Sequence, residues 1–147
     1  MINPSQVAKD ILSSEYFKNA RKDAQIYSND INKIEEILLQ VDYKLNNMKF
    51  DKNEQKVVEF VGNMKKIYRL VKTYYSDEYK DINIESIVWA IVAINYFISP
   101  VDFIPDSMEN VGYIDDMIVV YFVLSNIKSE LDKFLIWERN KENIFAL

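Results

Sequence analysis

Asp102, Asp106, Asp115 and Asp116 are the strongest candidates in this chain for a chemical role. Asp102 and Asp106 are one helical turn apart, and a chain reversal would bring Asp115 and Asp116 back beside them. Clusters of carboxylate oxygens suit hard divalent cations such as Mg²⁺, Ca²⁺ or Mn²⁺. These four residues therefore suggest a cation site.

The same residues also have a purely structural interpretation. Asp106 opens a capping-box pattern with Glu109, and Asp115 and Asp116 precede an apolar run, where negative charge favours the start of a helix. Pro100, Pro105 and Gly112 set the backbone angles of the elbow between the two flanking apolar segments. In this interpretation the elbow shapes the fold, and no ion is needed.

The composition excludes several kinds of site. The chain has no cysteine and no histidine. Disulfides, thiolate or imidazole zinc sites and Ser-His-Asp or Cys-His catalysis are therefore ruled out. Because no nucleophile or phosphate loop accompanies the aspartates, we do not expect an enzyme. The absence of cysteine is consistent with a reducing compartment, and we expect a cytoplasmic protein.

The charges are unevenly distributed. The net charge of −5 divides into +1 for residues 1–83 and −6 for residues 84–147, and no lysine or arginine lies between Lys80 and Lys128. An acidic chain without a long basic tract is a poor ligand for nucleic acid, so we expect no such partner.

One local basic ridge stands out against this background. Lys65, Arg69 and Lys72 follow a helical spacing that puts them on one side of an earlier helix. They either form a solvated face or compensate the aspartates of the elbow.

Two glycines and three prolines in 147 residues leave little material for the turns of a β-fold, and the apolar residues recur with helical periodicity. We predict an all-α bundle of five to six helices in a single domain over 1–147. Two central apolar helices would be joined by the Pro/Asp/Gly elbow. The chain divides into amphipathic helices over 1–83, this hairpin over 84–124, and a C-terminal helix and tail over 125–147.

Two helix boundaries depend on local signals. Asp51 and Glu54 have the spacing of a capping box, which predicts a helix that begins directly after Asp51. Ser125 and Asn126 interrupt the apolar pattern, and the sequence leaves open whether they break the last helix or bend it.

The longest apolar runs, Ile87–Ile94 and Met117–Leu124, have eight residues each. A spanning helix needs ~20 apolar residues, so a conventional transmembrane span is not expected. The two apolar helices could still associate with a membrane peripherally or as a re-entrant pair.

The elbow carries a recognisable motif. Tyr96-Phe97-x-x-Pro100-x-Asp102-x-Ile104-Pro105-Asp106, followed by Gly112-Tyr113-x-Asp115-Asp116, resembles the hallmark of the YkvA-like proteins, a bacterial family of unknown function. The resemblance covers roughly residues 84–124. It implies a small helical domain, apolar enough in some members to suggest membrane association. It implies no activity, so no catalytic residue is carried over.

Three functional hypotheses follow from these patterns. The first is a non-enzymatic interaction or scaffold module with a protein partner that the sequence does not identify. The second is a divalent-cation-binding domain that uses the elbow aspartates. The third is peripheral or re-entrant association with a membrane.

Overall fold

The computed structural model describes residues 4–99 and 113–146, with side chains described for 6–99 and 113–142. These residues form only helices and connections, with no strand among them. The helices are α1 (Pro4–Leu12), α2 (Glu15–Tyr27), α3 (Ile31–Asn47), α4 (Gln55–Tyr75), α5 (Ile84–Ile98) and α6 (Ile114–Ala146). The predicted all-α bundle is confirmed.

α5 is the central helix of the bundle. It contacts α2, α3, α4 and α6. Ten of its fifteen residues are buried, including Ser86 and Asn95. A helix that is apolar all round must be covered on every side, and the four neighbouring helices do this. The helix ends at Ile98, before Pro100, as the sequence predicts.

α4 begins later than its capping-box pattern suggests. Asp51 accepts a hydrogen bond from the Asn53 amide at 2.9 Å, and its carbonyl accepts one from the Glu54 amide at 3.0 Å. The Asp51 side chain therefore stabilises a turn, and the helix starts at Gln55. The predicted capping box is wrong because the aspartate bonds within its own turn.

α6 continues without a break through Ser125 and Asn126. The side chains of both residues donate hydrogen bonds to the Phe122 carbonyl, at 2.7 and 2.9 Å. Polar side chains that bond back to the preceding turn are compatible with an uninterrupted helix. The segment after residue 124 is therefore the last two thirds of one helix of 33 residues.

Tyr75 joins α4 to the end of α2 at the bundle end opposite the elbow. Its hydroxyl donates a 2.8 Å hydrogen bond to the Ser28 carbonyl. Burial raises the pKa of Tyr75 to about 12, with a smaller effect of the neighbouring Tyr74. The protonated hydroxyl is therefore the form that the folded state favours.

We predict that the burial of the Tyr75 hydroxyl makes the free energy of unfolding fall at alkaline pH. The unfolded chain loses the Tyr75 proton near its ordinary pKa of 10, whereas the folded chain keeps it to about 12. The contribution is therefore complete below pH 10 and is lost as the pH rises to 12. Tyr75→Phe should lower the free energy of unfolding by about 0.5–1.5 kcal/mol at neutral pH and flatten the alkaline loss.

Urea unfolding at a series of pH values measures both effects. Tyr43→Phe is the matched control, because Tyr43 is 71% exposed. An equal alkaline loss in wild type and Tyr75→Phe would contradict the prediction.

Candidate functional site

Asp115 and Asp116 lie in the first turn of α6, as the sequence predicts, but their environment was not expected. They are 0% and 1% exposed. The start of a helix supplies unpaired backbone N–H groups and a positive dipole end, which favour carboxylates there. The two aspartates are thus part of the core at the point where α6 begins.

Tyr96 of α5 contacts one of these carboxylates directly. Its hydroxyl donates a 3.0 Å hydrogen bond to Oδ2 of Asp115, and Tyr96 itself is 1% exposed. This bond connects the last turns of the central helix to the first turn of α6. The sequence motif contains both residues, but it gave no indication that they bond to each other.

Aromatic rings and one lysine surround the end of α5. The Phe60 ring contacts the rings of Phe97 and Tyr113, with centroids 5.7 and 6.2 Å apart. Lys44 of α3 donates a hydrogen bond to the Phe97 carbonyl, and its ammonium lies 4.5 Å from the Phe97 ring centroid. Sequence reasoning missed Lys44, because nothing in its local pattern distinguishes it from a solvated lysine.

The basic ridge does not reach Asp115 and Asp116. Arg69 forms a bidentate ion pair with Glu138, in which Nε and Nη2 of the arginine lie 2.9 and 3.2 Å from the two carboxylate oxygens. Glu138 is 22 residues after Asp116 on α6, which corresponds to about 33 Å along the helix axis. Arg69 is therefore at the far end of the bundle. Lys65 and Lys72 are exposed, as on a solvated face.

The other elbow residues, Pro100, Asp102, Pro105, Asp106 and Gly112, lie outside the described residues. Within residues 4–99 and 113–146, no group of three or more acidic side chains is arranged to hold a metal ion. Of the four aspartates, only Asp115 and Asp116 lie among the described residues, so the four-aspartate cation site stays a prediction.

The outward side of the same helical segment is apolar. Ile114 is 36% exposed and Tyr121 is 78% exposed, with Met117 and Ile118 half-buried between them. We call these four residues the α6 face. They line an open groove of about 500 Å³ together with residues of α1 and α4. Over the described residues, no helix is long and apolar enough to cross a membrane.

We predict that the Tyr96 hydroxyl stabilises the junction of α5 and α6. Tyr96→Phe removes a donor from a fully buried carboxylate and should lower the free energy of unfolding by about 1–3 kcal/mol. Chemical denaturation measures this loss. Tyr121→Phe serves as the control, because that tyrosine is largely exposed. An unchanged unfolding midpoint in Tyr96→Phe would show that the bond contributes nothing.

Comparisons with known proteins point to the same segment of the chain. Residues 86–122, which include most of α5 and the start of α6, match the model of a protein family of unknown function, DUF1232. A relative in Bacillus subtilis (strain 168), the uncharacterized membrane protein YkvA, is 26% identical over 86 residues. That alignment covers 58% of this chain and 78% of YkvA. No solved structure matches the chain. The YkvA-like resemblance is thus confirmed, and it rests on the segment 86–122 that matches the DUF1232 model and on the similarity to YkvA.

Proposed function

We propose that this protein is a non-enzymatic interaction module that associates peripherally with the cytoplasmic surface of a membrane through the α6 face. The observation that carries the proposal is an exposed, uncharged side of α6 within residues 86–122, the segment that matches the family model. Between Ile114 and Ile127 the only charged residues of α6 are Asp115 and Asp116, and both are buried. The solvent side of these turns is therefore free of charge.

An exposed apolar patch on a folded domain marks a contact surface. The α6 face has the chemistry of a membrane interface, because its other three residues are apolar and the ring of Tyr121 has an apolar body and a polar hydroxyl. On the α4 side of the groove, Lys56 and Glu59 offset each other in charge. The surface is therefore suited to shallow apolar contact more than to binding charged groups.

The similarity to YkvA, which is named a membrane protein, favours a lipid surface as the partner. The burial of α5 favours peripheral over re-entrant association. Four helices cover α5, so its insertion into lipid would require the bundle to open and expose a core that includes Phe97 and Ile94. The α6 face is accessible without any such change.

We expect wild-type protein to float with lipid vesicles and Tyr121→Asp to lose this binding. A carboxylate at position 121, the most exposed residue of the α6 face, must be dehydrated on contact with lipid. This should lower the partition coefficient at least tenfold, or about 1.4 kcal/mol. Density-gradient flotation with phosphatidylcholine vesicles measures the bound fraction. Adding phosphatidylglycerol should not increase it, because the chain is acidic and the face carries no charge.

Tyr43→Asp is the matched control for this experiment. Tyr43 is 71% exposed, similar to Tyr121, and lies on α3, which makes no contact with α6 in the described part of the chain. If Tyr43→Asp reduced the floated fraction as much as Tyr121→Asp does, a specific role of the α6 face would be contradicted. Wild-type protein that stays at the bottom of the gradient would overturn the proposal.

Divalent-cation binding is the second candidate function. Two neighbouring carboxylates with almost no exposure favour it, because buried negative charges require compensation, which a cation provides alongside N–H donors. In this case chelation should lower the melting temperature, and readdition of Mg²⁺, Ca²⁺ or Mn²⁺ should restore it in wild type but not in Asp115→Asn. A melting temperature that responds to none of these ions would reject cation binding and leave the membrane proposal intact.

A further inference from the structure

A polar pocket of about 440 Å³ opens between α2, α3 and α5, and its lining reaches Tyr96 and Ser99 at the start of the elbow but includes no residue of the α6 face. Its lining includes two tyrosines, three amide or acidic side chains and one lysine. These six residues are Tyr16, Asp23, Tyr27, Lys33, Gln40 and Asn95.

Asn95 is the unusual residue of this pocket. It is only 9% exposed and belongs to the central, otherwise apolar helix. Its amide nitrogen donates a 3.3 Å hydrogen bond to the Ala20 carbonyl, but its Oδ1 atom is buried and accepts no hydrogen bond. An unpaired buried acceptor costs free energy, which a ligand with a hydrogen-bond donor would recover.

The charged groups of the pocket are not equally available. The Lys33 ammonium donates to Glu36 at 3.2 Å and lies 5.0 Å from the Tyr27 ring centroid. The Asp23 carboxylate is half-buried, and it adds to the effect of the Glu36 hydrogen bond in raising the pKa of Lys33. It accepts none of the hydrogen bonds found among the described residues and forms no direct ion pair there. The acceptors of the pocket that receive no hydrogen bond among the described residues are thus the Asp23 carboxylate and the Asn95 oxygen.

We propose that this pocket binds a small primary ammonium compound. The ammonium group would donate to Oδ1 of Asn95 and to the Asp23 carboxylate, which also supplies the opposite charge. The alkyl part would lie against the apolar body of the Tyr16 ring, because the Tyr27 ring already faces the Lys33 ammonium. A carboxylate ligand is disfavoured, because its binding to Lys33 would have to break the ion pair between Lys33 and Glu36.

Three probes of nearly equal size test this assignment, namely butylammonium, butan-1-ol and butyrate. Each is titrated into the intact chain while the backbone amide signals of Asn95 and Ala20 and the side-chain amide signals of Asn95 are followed by NMR. We expect saturable shifts of these signals with butylammonium and at least tenfold weaker effects with the other two. Asp23→Asn should weaken butylammonium binding about tenfold, since it removes the charge and keeps the shape.

Asp42→Asn is the matched control, because Asp42 is an exposed acidic residue of α3 that does not line the pocket. It should bind butylammonium as wild type does. Equal responses to butylammonium and butan-1-ol, or preference for butyrate, would overturn the proposal. So would the absence of any saturable shift, which would mean that water alone occupies the pocket.

Discussion

Covering α5 is the constraint on which the rest of the structure depends. This helix has almost no polar side, so burying it requires contact in every direction around its axis. Four helices provide that contact, and each of them is amphipathic or locally apolar where it faces α5. α5 buries three residues with polar groups, Ser86, Asn95 and Tyr96, and there the core departs from plain apolar packing.

The two ends of the bundle are stabilised in different ways. At the end opposite the elbow, ion pairs such as Arg69–Glu138 and Lys141–Glu78 connect α6 to α4 and to the segment after it. At the elbow end, Asp115 and Asp116 are buried, and a tyrosine and the start of a helix provide donors there. Surface ion pairs contribute little individually, whereas a buried carboxylate depends strongly on its donors.

Burial of Asp115 and Asp116 also determines the character of the surface above them. If these carboxylates pointed outward, the first turns of α6 would be acidic and would repel an anionic surface. Since they point into the core, the exterior of the same turns consists of Ile114, Met117, Ile118 and Tyr121. The buried aspartates and the apolar surface that we propose for membrane contact thus lie on opposite sides of one helix.

The sequence by itself determined the helical class, the central position of α5, its end before Pro100 and the start of α6 at the aspartates. Those features follow from periodicity and from proline and helix-dipole chemistry, which act over a few residues. The burial of the aspartates, the Tyr96–Asp115 bond, the Arg69–Glu138 pair and the position of Lys44 were decided by tertiary structure alone. Each joins residues far apart in sequence or depends on which side of a helix another helix covers, and local patterns carry no information on either.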